Sequence, residues 1–324
     1  MDKVKWGVLG TANIASWGMI PGMKQADNCE LYAVVGRSEE KAKRYKENFG
    51  FQKYYVGYEN LLADKDVQAV YIPLPNNLHM EWTKAALKAG KHVLCEKPLG
   101  LNASQVKEMF ETAGKEGKHL MEAYAYLHSP YIASLKEVVE SGAIGEIDYL
   151  ETAFITQGYK EDIRLHKEYG GGAVYDLGCY CTTLLLSLVD SEPEFVKANA
   201  EFSDLGVDKM AAGLIRFKNG VRASFNVGMI LGEDTDFRFD RLYIHGNKGC
   251  VKSEVQYNQE GEAAYRIYTP DGLIEKKVSV RNNYALEVEQ FGRCILKGEK
   301  PHITSAFSIK NAELMDKVLT EIGY

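Results

Sequence analysis

The chain has 324 residues, 45% hydrophobic and 26% charged, with a net charge of −6 at pH 7. That length suggests two domains, and the composition is ordinary for a globular protein. The acidic balance favours neither a nucleic-acid surface nor an anionic membrane.

No apolar run approaches the roughly 18 residues of a membrane span. Met1-Asp2-Lys3 leads straight into strand-like sequence, without the apolar core of a signal peptide. Six cysteines in so long a chain do not make a disulfide framework. Only Cys179 and Cys181 are close in sequence, and no Cys-x-x-Cys or His-rich partner lies nearby, so no metal site is expected. The expected compartment is reducing and cytoplasmic.

Val4 to Gly10 reads as a first strand, and Gly10-Thr11-Ala12-Asn13-Ile14-Ala15 opens a helical stretch. This is the shape of the dinucleotide fingerprint, whose glycines let backbone N–H groups approach a pyrophosphate at a helix N-terminus. Ala12 stands in place of the second glycine. Gly18, Pro21 and Gly22 should interrupt the helix.

Leu31 to Val35 is a second apolar run, and Glu39 to Phe49 follows as a helix with Ser38 as N-cap. An NAD site would place an Asp or Glu at the end of this strand. Gly36-Arg37-Ser38 stands there instead. A small residue leaves room for a 2′-phosphate, Arg37 offers a charged fork and Ser38 a hydroxyl. Alone, Arg37 also reads as a surface residue at a helix start. Behind a real fingerprint it favours NADP, with NAD left open.

The pattern repeats. Ala69 to Ile72 is a strand stopped by Pro73-Leu74-Pro75-Asn76-Asn77, and Leu78 to Ala89 is helical. His92 to Cys95 is the next strand, Ala103 to Gly114 the next helix with Asn102 as cap, and His119 to Glu122 another strand. This alternation predicts an α/β fold with a doubly wound parallel sheet. Gly10, Arg37, Pro73, Lys97 and Glu122 then fall near the strand carboxyl ends, where ligands bind. Pro98 ends its strand and holds Lys97 extended. Lys97 is either a solvated corner lysine or a cation facing a ligand.

Glu96-Lys97-Pro98, preceded by Tyr71-Ile72-Pro73-Leu74-Pro75-Asn76-Asn77-Leu78-His79, resembles the Gfo/Idh/MocA oxidoreductases, over nearly the whole chain. The resemblance implies an N-terminal Rossmann domain, here 1–123. It also implies a C-terminal α/β domain, here 124–324, with a large, mostly antiparallel sheet often used for dimerisation. It puts Lys97 beside the nicotinamide and the substrate, and Pro73, Asn76 and His79 along the cofactor. Read without it, His79 is an N-terminal helix residue with a local hydrogen bond. The cofactor-binding set is then Gly10, Thr11, Ala12, Asn13, Ile14, Arg37, Ser38, Pro73, Asn76, His79, Glu96 and Lys97. Glu122 to Pro130 matches the family's domain crossover. Tyr126 is a candidate substrate contact there, and Leu127 stands where an Arg is often found.

Pro130 to Ser141 reads as a helix and Gly145 to Thr156 as a strand. Gln157 to Tyr169 is a polar loop long enough to be functional. Gly170-Gly171-Gly172-Ala173-Val174-Tyr175-Asp176 then leads into an apolar helix over Leu177 to Val189. Asp176 and Tyr180, four apart, share one helix face. They are either a cap with a buried tyrosine or paired chemistry. The segment resembles the family's second motif, with Tyr180 where many members carry His. That Tyr form, with Asp162-Ile163-Arg164-Leu165, is similar to the branch containing dihydrodiol dehydrogenase, NADP-dependent xylose dehydrogenase and glucose–fructose oxidoreductase. It implies that Arg164 lies near the substrate, although a solvated loop Arg reads equally well.

Oxidising an alcohol removes a hydride from carbon and a proton from oxygen, and the proton acceptor works best with a pKa near ambient pH. A tyrosine near 10 is brought down by roughly 1–3 units when an ammonium lies within about 4–6 Å. Lys97 would play that part for Tyr180, and Asp176 would position substrate hydroxyls or Lys97. The expected activity is hydride transfer between NADP(H) and a hydroxyl or carbonyl of a sugar, polyol or dihydrodiol. An aldose–aldose oxidoreductase with tightly held NADP and a non-catalytic nucleotide-sensing regulator are the alternatives.

Beyond Pro193 the pattern turns to strands. Met210 to Phe217, Lys218-Asn219-Gly220 and Val221 to Val227 form a hairpin signal. Arg238 to His245 and Cys250 onward form another. Tyr284 to Leu296 and Ala306 to Leu319 read as amphipathic helices. The antiparallel content fits a sheet available for pairing into a homodimer or higher homo-oligomer.

Overall fold

The structure is a computed structural model that describes residues 2–233, 235–255, 257, 258 and 260–324. The chain divides into two units, Met1–His128 with Arg281–Ile309, and Ser129–Val280 with Lys310–Tyr324.

In the first unit, six strands form one parallel sheet: β1 (Val4–Leu9), β2 (Cys29–Gly36), β3 (Lys53–Val56), β4 (Ala69–Ile72), β5 (His92–Glu96) and β6 (Leu120–Ala123). Their order is β3-β2-β1-β4-β5-β6, the doubly wound arrangement. Strands β1, β4 and β5 are almost wholly buried, as continuous apolar runs between two helix layers must be. The helices are α1 (Ile20–Gln25), α2 (Glu39–Phe49), α3 (Tyr58–Ala63), α4 (His79–Lys88) and α5 (Ala103–Glu116). Ser38 and Asn102 cap α2 and α5 by accepting from Lys41 N and Gln105 N. Strand β3 and helix α3 carried no signal strong enough to be expected from sequence.

One expectation is corrected here. Gly18, Pro21 and Gly22 do not break the first helix. It passes through a π turn at Ala15–Met19 directly into α1, with Pro21 in the first turn of α1, where a missing N–H costs little. Helix α8 (Asn283–Lys297) packs with the first unit. A Cβ on Gly22 would lie 2.4 Å from Tyr284 Cβ, and one on Gly18 2.9 Å from the Tyr284 ring. Those glycines let α1 lie directly against α8. Phe291 of α8 meets Trp6 of β1 at 5.8 Å between ring centroids, both fully buried. Burying one such side chain contributes about 1.5–3 kcal/mol.

The second unit is built on an eight-stranded sheet of order β14-β13-β12-β11-β7-β10-β9-β8. Its strands are β7 (Ile147–Gly158), β8 (Pro193–Phe202), β9 (Asp208–Phe217), β10 (Arg222–Glu233), β11 (Arg238–Gly246), β12 (Gly249–Ser253), β13 (Gly261–Thr269) and β14 (Gly272–Val280). Among the described residues of this sheet only the β7–β10 pair is parallel. The expected hairpin is β9–β10, with Arg216 opposite Arg222, and Ala223, Phe225 and Val227 on its buried face. Helices α6 (Pro130–Glu140) and α7 (Cys179–Leu188) pack in this unit, and α6 is tied down by Ser134 Oγ with Tyr265 Oη at 2.8 Å. Helix α9 (Ser305–Ile322) completes the chain's regular structure. Among the described residues no helix is long and apolar enough to cross a membrane.

Candidate active site

In the first unit the expected cofactor residues gather on the carboxyl edge of the parallel sheet. Gly10 follows β1 with φ +133°, a conformation costly for any residue with a Cβ. An added Cβ would sit 3.3 Å from Leu74, so the turn after β1 lies against the Pro73-Leu74 turn after β4. Thr11, Ala12 and Ile14 are half-buried and Asn13 is exposed at the helix start. Tyr45 Oη donates to Ala12 O at 3.0 Å, holding this loop down. Arg37 and Ser38 are exposed at the end of β2. A tight glycine turn, a helix start without a side-chain cap and an exposed Arg beside Gly36 fit a dinucleotide bearing a 2′-phosphate.

Lys97 directly follows β5, and the Lys97–Pro98 peptide is cis. The corner is anchored from beneath. Glu96 is 9% exposed and accepts from Tyr71 Oη at 2.5 Å. Glu122, 2% exposed at the end of β6, accepts from Leu99 N at 2.9 Å, and burial pushes its carboxyl up to about 7. His79 has no exposed surface, and its Nδ1 and Nε2 face Pro98 O at 2.9 Å and Leu74 O at 2.8 Å. Burial holds the ring below its ordinary pKa. A neutral imidazole donates through one nitrogen only, so it ties one of the two turns at a time.

Glu96 and His79 brace the turns bearing Lys97 and Pro73. Tyr126, 1% exposed, packs edge-on against Tyr124 at 6.2 Å. Pro73 is buried, and Asn76 is half-buried at the start of the short turn before α4.

In the second unit Asp176 and Tyr180 lie at the start of the helix leading into α7. A π turn spans Val174–Gly178, a widening common at functional sites. Arg164 Nε donates to Asp176 Oδ2 at 2.7 Å and its Nη1 to Asp162 Oδ1 at 3.0 Å. Arg164 is thus no free loop cation. The Asp176 carboxylate, first among the causes, raises its pKa. The glycine run exists because the loop backbone lies on it: a Cβ on Gly171 would be 2.4 Å from Arg164 O, which itself accepts from Gly172 N at 2.9 Å. Tyr180 is half-buried, its ring 5.4 Å from Phe154 and 5.0 Å from Tyr257. Arg238 lies 4.5 Å over the Phe154 ring.

Sequence reasoning passed over Asp208. It is fully buried at the start of β9, and its Oδ2 accepts from Val174 N at 2.7 Å, so it caps from another strand the helix that carries Asp176 and Tyr180. Its Oδ1 lies where a Cβ on Gly172 would come within 2.0 Å. Burial pushes this carboxyl up to about 7. Its only sequence signal was an Asp opening a strand, which is too common to single out. Among the described residues no cluster of His, Cys, Asp and Glu could hold a metal ion.

The dinucleotide edge with a braced lysine in the first unit, and the glycine-opened helix bearing Asp and Tyr in the second, are the features of a nucleotide-dependent oxidoreductase. The chain belongs to the Gfo/Idh/MocA family. Residues 4–124 match its model described as "Oxidoreductase family, NAD-binding Rossmann fold", and residues 132–252 match its C-terminal domain. The chain is 31% identical to D-xylose 1-dehydrogenase (NADP(+)) 2 of Haloferax volcanii, covering 97% of this chain and 95% of that one. It is 29% identical to trans-1,2-dihydrobenzene-1,2-diol dehydrogenase of Xenopus tropicalis, covering 98% of each. A crystal structure of a 3-ketoreductase from Actinomadura kijaniata, in complex with NADP and TDP-benzene, superposes with a TM-score of 0.93 at 30% identity. That match covers 99% of this chain and 98% of that one.

Proposed function

We propose that the protein transfers a hydride between NADP(H) and a carbon bearing a hydroxyl or carbonyl, on a sugar, polyol or dihydrodiol. The observation that carries this reading is Lys97, held at the ligand edge of β5 by Glu122, Glu96 and His79, in the same row of strand ends as Gly10 and Arg37. The relatives support the substrate class, since their names join a pentose, a dihydrodiol and a ketosugar chemistry on this fold.

NADP(H), when bound, supplies or accepts the hydride. Gly10, Thr11, Ala12, Asn13 and Ile14 would cradle its pyrophosphate, Pro73 and Asn76 would border it, and Arg37 with Ser38 would hold the 2′-phosphate. Tyr180 is the acid/base: its phenol gives a proton to the substrate oxygen in reduction and takes it back in oxidation. Lys97 provides the positive charge that favours the phenolate. Asp176, oriented by Arg164, positions a neighbouring substrate hydroxyl. A homodimer or higher homo-oligomer belongs to the same proposal. The eight-stranded sheet exposes Leu214, Ile230 and Phe239 at 57%, 43% and 43%, an apolar face suited to a second copy.

The test is a Tyr180→Phe variant assayed with aldoses, polyols and dihydrodiols. Turnover should fall by about 10²–10⁴-fold, the usual share of general acid–base catalysis, while NADPH still quenches protein fluorescence at unchanged concentration. Near-normal turnover would sink the assignment.

A further inference from the structure

The amino ends of the parallel strands, on the edge opposite Gly10 and Lys97, carry a second concavity. It holds about 320 Å³, and its walls include Lys65, Val67, Lys91, His92, Lys118 and Ile295, with no carboxylate among its lining residues. In a chain of net charge −6, a cleft walled by three lysines is out of character.

The nearby carboxylates are turned to other work. Asp64 is held by Lys53 Nζ at 2.9 Å and Tyr55 Oη at 2.7 Å, and Asp66 by Tyr32 Oη at 2.9 Å. Lys91 is buried and donates to Asp64 O at 2.6 Å and Val67 O at 2.8 Å. Two of its three ammonium protons are thereby used, and one is left. His92 has a defined tautomer. The His119 backbone N–H, which can only donate, reaches His92 Nδ1 at 3.0 Å, so the ring is neutral and its proton sits on Nε2. Burial, followed by the His119 and Lys118 charges, pushes His92 down to about 4. The ring is therefore a neutral donor across the physiological range. Every polar group that the cleft's Lys and His residues can present is a donor, and the volume is at the small end for a metabolite pocket.

We propose that this cleft is an anion-binding site, separate from the dinucleotide edge, that takes a small phosphate monoester. Lys65 and Lys118 supply the charge, His92 Nε2–H a fixed donor, and Val67 with Ile295 the apolar wall for the carbon skeleton.

The test uses the holoprotein with saturating NADPH, so that the phosphate-binding groups at Arg37 are occupied, and ionic strength held constant with potassium chloride. Inorganic phosphate, glycerol 3-phosphate and glycerol are titrated calorimetrically. Saturable binding of the two phosphates and none of glycerol is expected. A Lys65→Ala/Lys118→Ala variant should bind about tenfold more weakly or worse, as expected for lost charge contacts. The single Lys118→Gln variant, which changes one half-buried side chain, gives the same reading should the double variant fold poorly. No saturable heat from either phosphate, or equal affinity in the variants, overturns the site.

Discussion

Arg164 and Asp176 form a directed ion pair, Nε to Oδ2 at 2.7 Å, with a second arm of the guanidinium on Asp162 at 3.0 Å. The pair joins the loop after β7 to the helix start that carries Tyr180, so the carboxylate's direction is set by a residue twelve positions upstream. Arg164→Ala should lower kcat/KM for the sugar or diol substrate by roughly 10²-fold, the scale of a small misplacement near the chemistry, with KM for NADPH unchanged. The side chain is 35% exposed, so solvent screens the pair and stability should drop by only about 1 kcal/mol. Arg164→Lys should recover part of the activity, because an ammonium cannot span two carboxylates as a planar fork does. Steady-state kinetics with each substrate varied separate these effects.

Arg37 is exposed where an NAD site would carry an acidic residue. Arg37→Ala should weaken kcat/KM for NADPH by roughly 10–100-fold, one to two powers of ten for a lost charge-assisted contact, and leave NADH almost unchanged. A parent protein that prefers NADH would defeat the 2′-phosphate assignment outright.

Asp208 and Glu122 each have a carboxyl pushed up to about 7 by burial. The native protein therefore keeps protons that the unfolded chain, with Asp near 3.8 and Glu near 4.5, has already released. Native stability from these groups falls as pH rises from acid toward 7, by about 1.4 kcal/mol per pH unit per group. Asp208→Asn should flatten the decline of denaturation midpoint with pH by one group's share. A slope identical to the parent's would show that Asp208 is already ionised.

Two glycine substitutions should have opposite signs. Gly22→Ala places a Cβ 2.4 Å from Tyr284 Cβ and should cost about 1–3 kcal/mol through overpacking. Gly114→Ala lies inside α5 with nothing within 4 Å and should stabilise by about 0.5–1 kcal/mol. Urea midpoints at one pH read both.

What the sequence by itself determined is what repeats over short distances. Alternation of apolar strands with capped helices specified the parallel sheet, and the period-two pattern of Ala223, Phe225 and Val227 specified a half-buried antiparallel strand, because backbone geometry imposes those periods locally. The motifs around Gly10, Lys97 and Tyr180 were legible for the same reason, since each needs its residues side by side. What only the tertiary structure decided depends on partners far along the chain. Gly18 and Gly22 look like helix breakers until α8, some 260 residues on, is seen to press against them. That Glu96 and His79 brace the turns around Lys97 and Pro73, and that Tyr126 packs against Tyr124, shows only in the folded chain. Asp208 is an ordinary strand opening until its carboxylate is found on Val174 N. Burial and distant hydrogen bonds are properties of the folded surroundings, and local composition does not encode which distant segment will supply them.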